Sequence, residues 1–444
     1  MSLRSACLAC LLLVAACGGK AARHVRTGPM APPAFWVWHR SSPLTADERA
    51  ALGKTPLYWQ VAECEWGKGK WRVIRIAPAM KEAEIIPVFR IKPEPAFLGS
   101  PDSAKTLAGE IRKWSDGWTP GEIQLDFDCP DRLLGDYAGF LKSLGKELSP
   151  MRISVTALAS WPRHPEFERL AESVVSLAPM FYDLKADEPA EVKAGSYQPM
   201  TDPEVAKLIA LWSKCPHPWL AGLPNFERLS VFESDGKLIG HIRGWEHDAV
   251  FFHPDLKPHP PQAGVTVFDP LKPVDLSGTK IPPGAKLVHR MPEAAALESL
   301  AKAADDAGAS GILYFALPGP GIQAAYSPSH LAHAAETPKL VLTPGDRGTV
   351  VLKNTGPRDL PARVWELELH SEKPSAFRSA SPGGFATSSG DPAELGGTVV
   401  LRFAKLPAGA SIVSGPLVAD AEGMTWSIRG VVENQVEPPK DSAR

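Results

Sequence analysis

Residues 121–130, G-E-I-Q-L-D-F-D-C-P, carry the pattern from which the fold is predicted. Its apolar Ile, Leu and Phe alternate with Gln124, Asp126 and Asp128, which predicts a strand with one apolar and one acidic face. In a (β/α)8 barrel, the apolar face packs against helices and the other face points into the barrel, whose carboxyl-end rim carries the active site. We therefore place Asp128 at the rim and Asp126 one layer below it, about 6 to 7 Å away.

Seven further apolar runs, separated by helical patterns, bring the strand count to the eight that a barrel needs. These predicted strands are residues 34–39, 57–63, 85–91, 152–158, 174–183, 219–224 and 311–317. Helices are predicted from Thr45, which can cap the first one, and at residues 103–114, 137–144, 202–214 and 292–307. The pattern predicts an α/β fold, a (β/α)8 TIM barrel over residues 34–336.

Two regions depart from the alternation of strands and helices. Residues 228–291 are Pro-rich and contain a hairpin signal around Asp235-Gly236, which predicts an insertion at the barrel rim. From residue 337 to 438, strands alternate with Gly/Pro turns and no helical pattern is present, which predicts a C-terminal all-β sandwich domain of about 100 residues. Packing on the barrel, spacing and carbohydrate contact are all roles open to this domain.

The N-terminus carries a targeting segment. An apolar run at residues 6–16 is too short to span a bilayer, and it ends in V-A-A-C, with small residues directly before Cys17. This matches the bacterial lipoprotein box, so we predict a signal peptide over residues 1–17, lipidation of Cys17 and a polar tether over residues 18–33. Gly18 favours an outer-membrane anchor in the cell envelope, facing the periplasm or the exterior. An ordinary secretory signal cut nearby is the alternative.

Composition describes an ordinary globular chain. Of its 444 residues 44% are hydrophobic and 22% charged, and the net charge of −2 gives no reason to expect a nucleic-acid partner. Outside the targeting segment the cysteines are Cys64, Cys129 and Cys215, an odd set without C-x-x-C spacing, which argues against a metal cluster and leaves one disulfide open. We expect a monomer with no cofactor and no metal.

Two carboxylates provide the strongest chemical signal. Asp126 and Asp128 lie on one face of one strand, the deeper one partly desolvated, which suits an acid and a supporting anion with different pKa values. M-F-Y-D at residues 180–183 ends the sixth strand, so Tyr182 and Asp183 are predicted to contact substrate, the tyrosine hydroxyl stabilising developing charge. The structural alternative for the two acids is hydrogen bonding at a strand end. For the aromatic residues of M-F-Y-D it is closure of the core.

Further candidates for substrate contact lie at predicted strand ends or face inward. They are Gln124, Trp161, Glu63, Arg90 and Asn225, with His39 and Glu227 also at strand ends. A tryptophan there can stack on a sugar face, and Glu63 or Glu227 can supply a second carboxylate for an acid/base pair. Gln124 is expected to be a hydrogen-bonding partner. A packing or surface role is the alternative for each residue.

L-D-F-D and M-F-Y-D resemble the D-x-D-x-E and M-x-Y-D signatures of the family-18 chitinase-like glycoside hydrolases. With the lipoprotein start and F-W-V-W-H-R, the arrangement resembles more closely an uncharacterised bacterial barrel family, domain of unknown function 3142, over roughly residues 35–317. The resemblance implies a general acid at Asp128, the middle acid at Asp126 and a substrate contact at Tyr182. Asp128 stands where the chitinases have Glu, and Gln124 stands where they have their outer Asp.

These features predict a glycoside hydrolase-like envelope lipoprotein that acts on a polysaccharide or oligosaccharide. Asp128 is expected to be the general acid and Asp126 the supporting carboxylate. A non-catalytic glycan-binding barrel accounts equally well for Gln124 and for the Asp at position 128. A structural envelope protein whose sandwich recruits partners is a third interpretation.

Overall fold

The computed structural model describes residues 26–319, 321–373, 376–377, 379–390, 397–418, 423–432 and 435–436. The predicted signal over residues 1–17, its Cys17 and the first half of the predicted tether lie outside these residues. Within the described ranges, no helix combines the length and the apolar character that crossing a bilayer requires.

The first half of the chain builds most of one large sheet. Its strands are β1 (Ala34–Val37), β2 (Leu57–Gly67), β3 (Lys70–Arg75), β4 (Ile85–Ile91), β5 (Glu122–Asp126), β6 (Arg152–Leu158), β7 (Ser176–Met180) and β8 (Leu220–Pro224). All of them except β3 pair in parallel in chain order, and β3 folds back on β2 as an antiparallel hairpin.

An antiparallel sheet follows β8, in the stretch where the sequence predicts a rim insertion. Its region contains β9 (Arg228–Phe232), β10 (Leu238–Ile242), β11 (Leu256–Pro258), β12 (Val265–Pro270), β13 (Val274–Leu276), β14 (Thr279–Ile281) and β15 (Lys286–Arg290). Five strands pair in the order β10-β9-β15-β12-β11, and β13 pairs with β14. The turn between β9 and β10 contains Asp235 and Gly236, and the φ of 90° at Gly236 suits a residue without a Cβ.

The last barrel strand, β16 (Gly311–Phe315), closes the ring. It pairs in parallel with β8 on one side and with β1 on the other, and β1 also pairs with β2. Eight parallel strands therefore form a closed barrel with helices between them, which confirms the predicted (β/α)8 fold.

Helices follow most of the barrel strands. They are α1 (Ala46–Leu52), α2 (Ser103–Ser115), α3 (Leu134–Leu148), α4 (Phe167–Ala171), α5 (Pro189–Lys193), α6 (Val205–Leu211), α7 (His247–Phe251), α8 (Ala294–Asp306) and α9 (Pro328–Ala332). Of these, α7 lies in the insertion and α9 comes after the last barrel strand. Thr45 caps α1, as its position predicts, because its side chain accepts from the Glu48 amide while the Glu48 carboxylate accepts from the Thr45 amide. The helix predicted over 202–214 is α6 followed by one 3-10 turn, Trp212–Lys214.

The C-terminal region is all β, as predicted. Its strands are β17 (Leu340–Pro344), β18 (Val350–Asn354), β19 (Trp365–His370), β20 (Thr387–Ser389), β21 (Thr398–Phe403), β22 (Ser411–Val413), β23 (Thr425–Val432) and β24 (Gln435–Val436). They form two antiparallel sheets, β17-β18-β22 and β20-β21-β19-β23-β24, with a shared apolar core. Asp359 connects this region to the barrel, since its carboxylate accepts from the Ser327 amide and hydroxyl at the start of α9.

The barrel interior follows the alternation in the sequence. Ile123 and Leu125 are buried in the layer that packs against the helices, whereas Gln124 faces Trp36 inside the barrel and accepts a 2.8 Å hydrogen bond from its indole nitrogen. Trp36 can lie across the interior because Gly222 on β8 has no side chain. A Cβ at that position would lie 2.9 Å from the indole ring and 2.7 Å from the Pro179 carbonyl oxygen.

Gly222→Ala is therefore expected to destabilise the protein. The added methyl group must displace the Trp36 ring and a strand backbone, and overpacking of this kind costs about 1–3 kcal/mol. The matched control is Gly109→Ala in α2, where a Cβ meets nothing within 4 Å. There the same change is expected to stabilise the helix by about 0.5–1 kcal/mol. Urea unfolding of both variants tests the opposite signs, and a stabilised Gly222→Ala protein would contradict this packing.

Candidate active site

A cavity of about 650 Å³ opens at the carboxyl ends of the barrel strands. Asp126 and Asp128 both line it, together with Arg90, Tyr182 and Asp183. Five residues singled out by the sequence, from three different strands or strand ends, thus meet at one place. This is the rim where barrels of this class carry out their chemistry.

Asp126 lies in the interior at the end of β5. Its side chain accepts a 2.8 Å hydrogen bond from the Thr156 hydroxyl on β6, and Arg90 Nε lies 3.9 Å from its other carboxylate oxygen. Burial is the main cause that raises the pKa of Asp126 to about 6, the negative charge of Asp128 raises it further, and Arg90 and Thr156 oppose the rise. Asp126 is therefore suited to holding a proton in mildly acidic solution.

Asp128 lies two residues further along and is exposed at the cavity mouth. The sequence predicts this order, with Asp128 at the rim and Asp126 beneath it. Burial differs sharply between the two carboxyl groups, because Asp126 is only 8% exposed. Burial favours the neutral, protonated form of the deeper acid, Asp126.

Aromatic rings form one wall of the cavity. Tyr182 stacks on Phe315, with ring centroids 5.5 Å apart, and meets Trp36 edge-on at 6.5 Å. The Tyr182 hydroxyl forms no hydrogen bond with another residue in the part of the chain described, and burial raises its pKa well above the usual value. The hydroxyl is thus protonated at neutral pH and available to a ligand oxygen.

Asp183 has its charge neutralised by a neighbour. Its two carboxylate oxygens accept from the Arg228 guanidinium at 2.8 and 2.5 Å, a bidentate pair. The φ of 52° at Asp183 is uncommon for a residue other than glycine. Asp183 therefore lines the cavity as one half of an ion pair that joins the end of β7 to the start of β9.

Two sequence predictions of substrate contact need correction. Trp161 is fully buried, donates from Nε1 to the Cys129 carbonyl oxygen at 3.3 Å and packs edge-on against Tyr137, so no ring face is free for a sugar. Asn225 is also fully buried. Its amide donates to the carbonyl oxygens of Ala316 and Tyr326 and accepts from the Tyr326 amide, which fixes the loop after β16.

Other candidates lie beside the cavity or beneath it. Gln124 is fully buried in the layer below Asp126 and bonds to Trp36, consistent with the expected hydrogen-bonding role. Glu63 is half-buried on β2 and lies opposite Arg90 in the strand register, outside the cavity lining. His39 is exposed in an adjoining cavity of about 310 Å³ that also meets Glu227.

Glu227 belongs to a buried ionic cluster. Its carboxylate accepts from His289 and Lys405 at 2.7 Å each and from His247 at 2.9 Å. Burial opposes its ionisation, but Lys405 and the two imidazoles hold the pKa of Glu227 well below its usual range. All four groups satisfy one another, so Glu227 is a structural anion and not a free second catalytic carboxylate.

Metal-ligand chemistry is absent from the described residues, where no group of three or more His, Cys, Asp or Glu side chains could hold an ion. In the insertion, His247 is engaged with Glu227 and His259 lies 2.7 Å from Asp269. Cys64, Cys129 and Cys215 are separate buried thiols, so no disulfide joins any two of them.

The sequence interpretation missed three polar residues of the cavity region, Thr156, Arg228 and Arg163. Thr156 could have been found from the sequence, because the alternation of R-I-S-V-T-A-L places its side chain on the inward face of the strand. Arg163 lies in a turn after β6, and Arg228 begins β9 after a loop, so strand alternation gave no direction for either side chain.

Solved structures similar to this chain include three bacterial enzymes. The chitinase ChiA74 from Bacillus thuringiensis has 10% sequence identity and a TM-score of 0.47, with 90% of this chain and 100% of that chain covered. A family GH18 chitinase from Chromobacterium violaceum has 11% identity and a TM-score of 0.43, with 94% and 92% covered. A family 18 N-acetylglucosaminidase from Paenibacillus barengoltzii has 10% identity and a TM-score of 0.45, with 64% and 94% covered. No family model and no curated protein matches the sequence.

The raised pKa of Asp126 predicts how stability depends on pH. The pKa is about 6 in the folded protein against a usual value of 3.8, so the folded state binds the extra proton between these pH values. The contribution of Asp126 to the free energy of unfolding therefore falls as the pH rises from about 4 to about 6, by about 3 kcal/mol. Asp126→Asn cannot titrate and should lack this fall.

Urea unfolding of both proteins at pH 4 and pH 7 measures the effect. The difference in unfolding free energy between wild type and Asp126→Asn should change by about 3 kcal/mol in favour of the variant at pH 7. Asp128→Asn is the matched control, because it removes an exposed carboxylate and should weaken the effect without abolishing it. A difference that does not change with pH would show that Asp126 is not desolvated.

Glu227→Gln and Glu63→Gln compare the stability contributions of two glutamates at strand ends, one held in an ionic cluster and one half-buried beside the cavity. Glu227→Gln leaves the buried ammonium of Lys405 without its counter-charge, a loss of about 3–5 kcal/mol. Glu63→Gln changes a half-buried residue beside the cavity and should cost less than about 1 kcal/mol. Urea unfolding at pH 7 compares them, and equal small losses would contradict a structural role for Glu227.

Proposed function

We propose that this protein hydrolyses glycosidic bonds in a polysaccharide or oligosaccharide. The observation that carries the proposal is the pair of carboxyl groups in the rim cavity, one buried with a pKa raised to about 6 and one exposed two residues away. Most glycoside hydrolases place two carboxyl groups beside the bond to be broken, one of them protonated. Aromatic walls and a tyrosine hydroxyl beside the pair suit a ligand with both apolar faces and hydroxyl groups.

The surroundings of the pair assign the roles. Asp126 supplies the proton to the glycosidic oxygen, because burial raises its pKa and keeps it protonated in mildly acidic solution. Asp128 supplies the second carboxylate, at the mouth where it faces the sugar. This assignment exchanges the roles expected from the sequence, since Asp126, below the rim, is the residue whose pKa is raised by burial. Tyr182 offers its hydroxyl to the oxygen on which charge develops.

We propose that the enzyme works in the cell envelope, attached to the membrane through a lipid on Cys17. The support is the V-A-A-C box, together with the polar stretch that separates it from the barrel. A lipid anchor would hold the cavity near polysaccharides of the envelope.

The decisive experiment measures released reducing ends and bound polymer together, for the purified protein with a panel of bacterial envelope and extracellular polysaccharides. Asp126→Asn and Asp128→Asn should each lower the release at pH 5.5 by about 10²–10⁴-fold, the usual contribution of general acid catalysis. Release by the wild type should fall as the pH rises above about 6, because Asp126 then loses its proton.

The matched control is Asp136→Asn, which removes an exposed carboxylate on α3, away from the cavity. It should leave the release unchanged. Binding without release, equal in wild type and both cavity variants, would refute hydrolysis and support the glycan-binding barrel instead. Loss of release together with collapse of the thermal transition would show a structural role for the altered carboxyl group.

A further inference from the structure

The cavity that holds Asp126 and Asp128 continues on one side into a second cavity of about 310 Å³. Both spaces are lined by Trp38, Arg90 and Phe315, so they form parts of one cleft. The β9–β10 hairpin and the chain after it form the far wall of the second space. We name this space the insertion-side cavity. A sugar chain with one bond at the carboxyl pair would place its next unit there.

Cations outnumber available anions in the insertion-side cavity. Its guanidinium groups belong to Arg90, Arg228 and Arg243, and its carboxylates to Asp183 and Glu227. Neither carboxylate is free to neutralise the wall, because Arg228 holds Asp183 in a bidentate pair and the buried cluster with Lys405 engages Glu227. The charges of Arg90 and Arg243 therefore remain over the cavity.

Arg243 is the least compensated of these cations. It is exposed just after β10, and in the described residues it forms no hydrogen bond or ion pair. Arg90 is weakly compensated, since its nearest carboxylate oxygen, on Asp126, lies 3.9 Å from Nε. The pKa of His39 is lowered by burial and then by Arg243 and Arg90, against which Glu63 acts in the opposite direction. A positive field thus acts inside this part of the cleft.

The opposite side of the cleft has a different balance of positive and negative side chains. There the carboxylates that line a cavity of about 360 Å³ are each paired with a cation. The pairs are Arg228 with Asp183, Lys185 with Asp202, Arg290 with Asp187 and Lys207 with Glu204. Arg163 also lines this cavity and forms no ion pair in the described residues, so one cation is uncompensated there. The insertion side has two such cations, the unpaired Arg243 and the weakly compensated Arg90, so its positive surplus is the larger one.

We propose that the insertion-side cavity binds an anionic group, a carboxylate or a sulfate, on the sugar next to the bond at Asp126 and Asp128. The substrate class is then an acidic polysaccharide. Guanidinium groups suit both anions, because their planar N–H donors match two oxygens at once. This inference rests on the proposed function for the position of the sugar chain, and it adds the charge of the sugar.

Two pairs of polymers separate charge from backbone. Polygalacturonate and its methyl ester share a backbone with and without carboxylates, and dextran sulfate and dextran do so for sulfates. Binding to the purified full chain is measured by calorimetry at 50 and 300 mM NaCl. We expect the charged member of at least one pair to bind about tenfold or more tightly than its neutral partner, with a loss of affinity at the higher salt. The pair that shows the difference identifies the anion.

Arg243→Gln tests the assigned residue. It should weaken binding of the charged polymer about five- to tenfold and leave binding of the neutral polymer unchanged. The melting temperature should also be unchanged, since Arg243 has no partner in the described chain to lose. Lys280→Gln is the matched control, because it removes one exposed positive charge from β14, a part of the insertion that does not line the cleft.

Each outcome decides the inference. Equal binding within both pairs, tighter binding of the neutral members or no binding of any polymer would overturn it. Equal losses in Arg243→Gln and Lys280→Gln would also overturn it, by showing attraction to net charge alone. Hydrolysis of neutral polysaccharides without a preference for charge would leave the proposed function standing and refute the acidic substrate. Binding of a charged polymer without release of reducing ends would refute hydrolysis and retain the anion site.

Discussion

The burial of a carboxyl group inside the barrel is the constraint on which the candidate site depends. An ionised carboxylate loses several kcal/mol of hydration when it is buried, unless charges and donors replace the water. Around Asp126 the replacement is partial, one hydroxyl donor from Thr156 and a guanidinium nitrogen at 3.9 Å. The pKa rises for this reason. A fully paired carboxylate, such as Glu227, shows the opposite outcome in the same protein, since its pKa is lowered.

Alternation along strands explains why so much of the barrel was readable from the sequence. A strand places neighbouring side chains on opposite faces, so an apolar residue at 125 and acids at 126 and 128 determine which face meets the helices. That rule needs no knowledge of other strands. It located Asp126, Asp128, Arg90 and Tyr182, because each lies within a strand or directly after its end. Helices such as α2 followed from equally local patterns.

The same rule fails where a strand stops. Trp161 and Asn225 both follow strand ends, and their directions are set by distant partners, the Cys129 carbonyl for one and the loop around Tyr326 for the other. Local sequence patterns contain no information about contacts between residues that are distant along the chain. Glu227 is the clearest case, because its partners come from positions 247, 289 and 405. A glutamate at a barrel rim is therefore weak ground for a catalytic assignment until its partners are known.

The Glu227 cluster also explains how regions far from the carboxyl pair affect the cleft. Glu227 follows β8 of the barrel, His289 is on β15 of the insertion, and Lys405 follows β21 of the C-terminal region. Arg228, the next residue after Glu227, begins β9 and holds Asp183 at the cavity. A buried ionic cluster is a poor source of net stability, but it tolerates few alternative arrangements, since each unpaired member would be costly. By fixing where β9 begins, the cluster fixes Arg228 and the hairpin that leads to Arg243, and the C-terminal region thereby contributes to the charge of the cleft without lining its carboxyl pair.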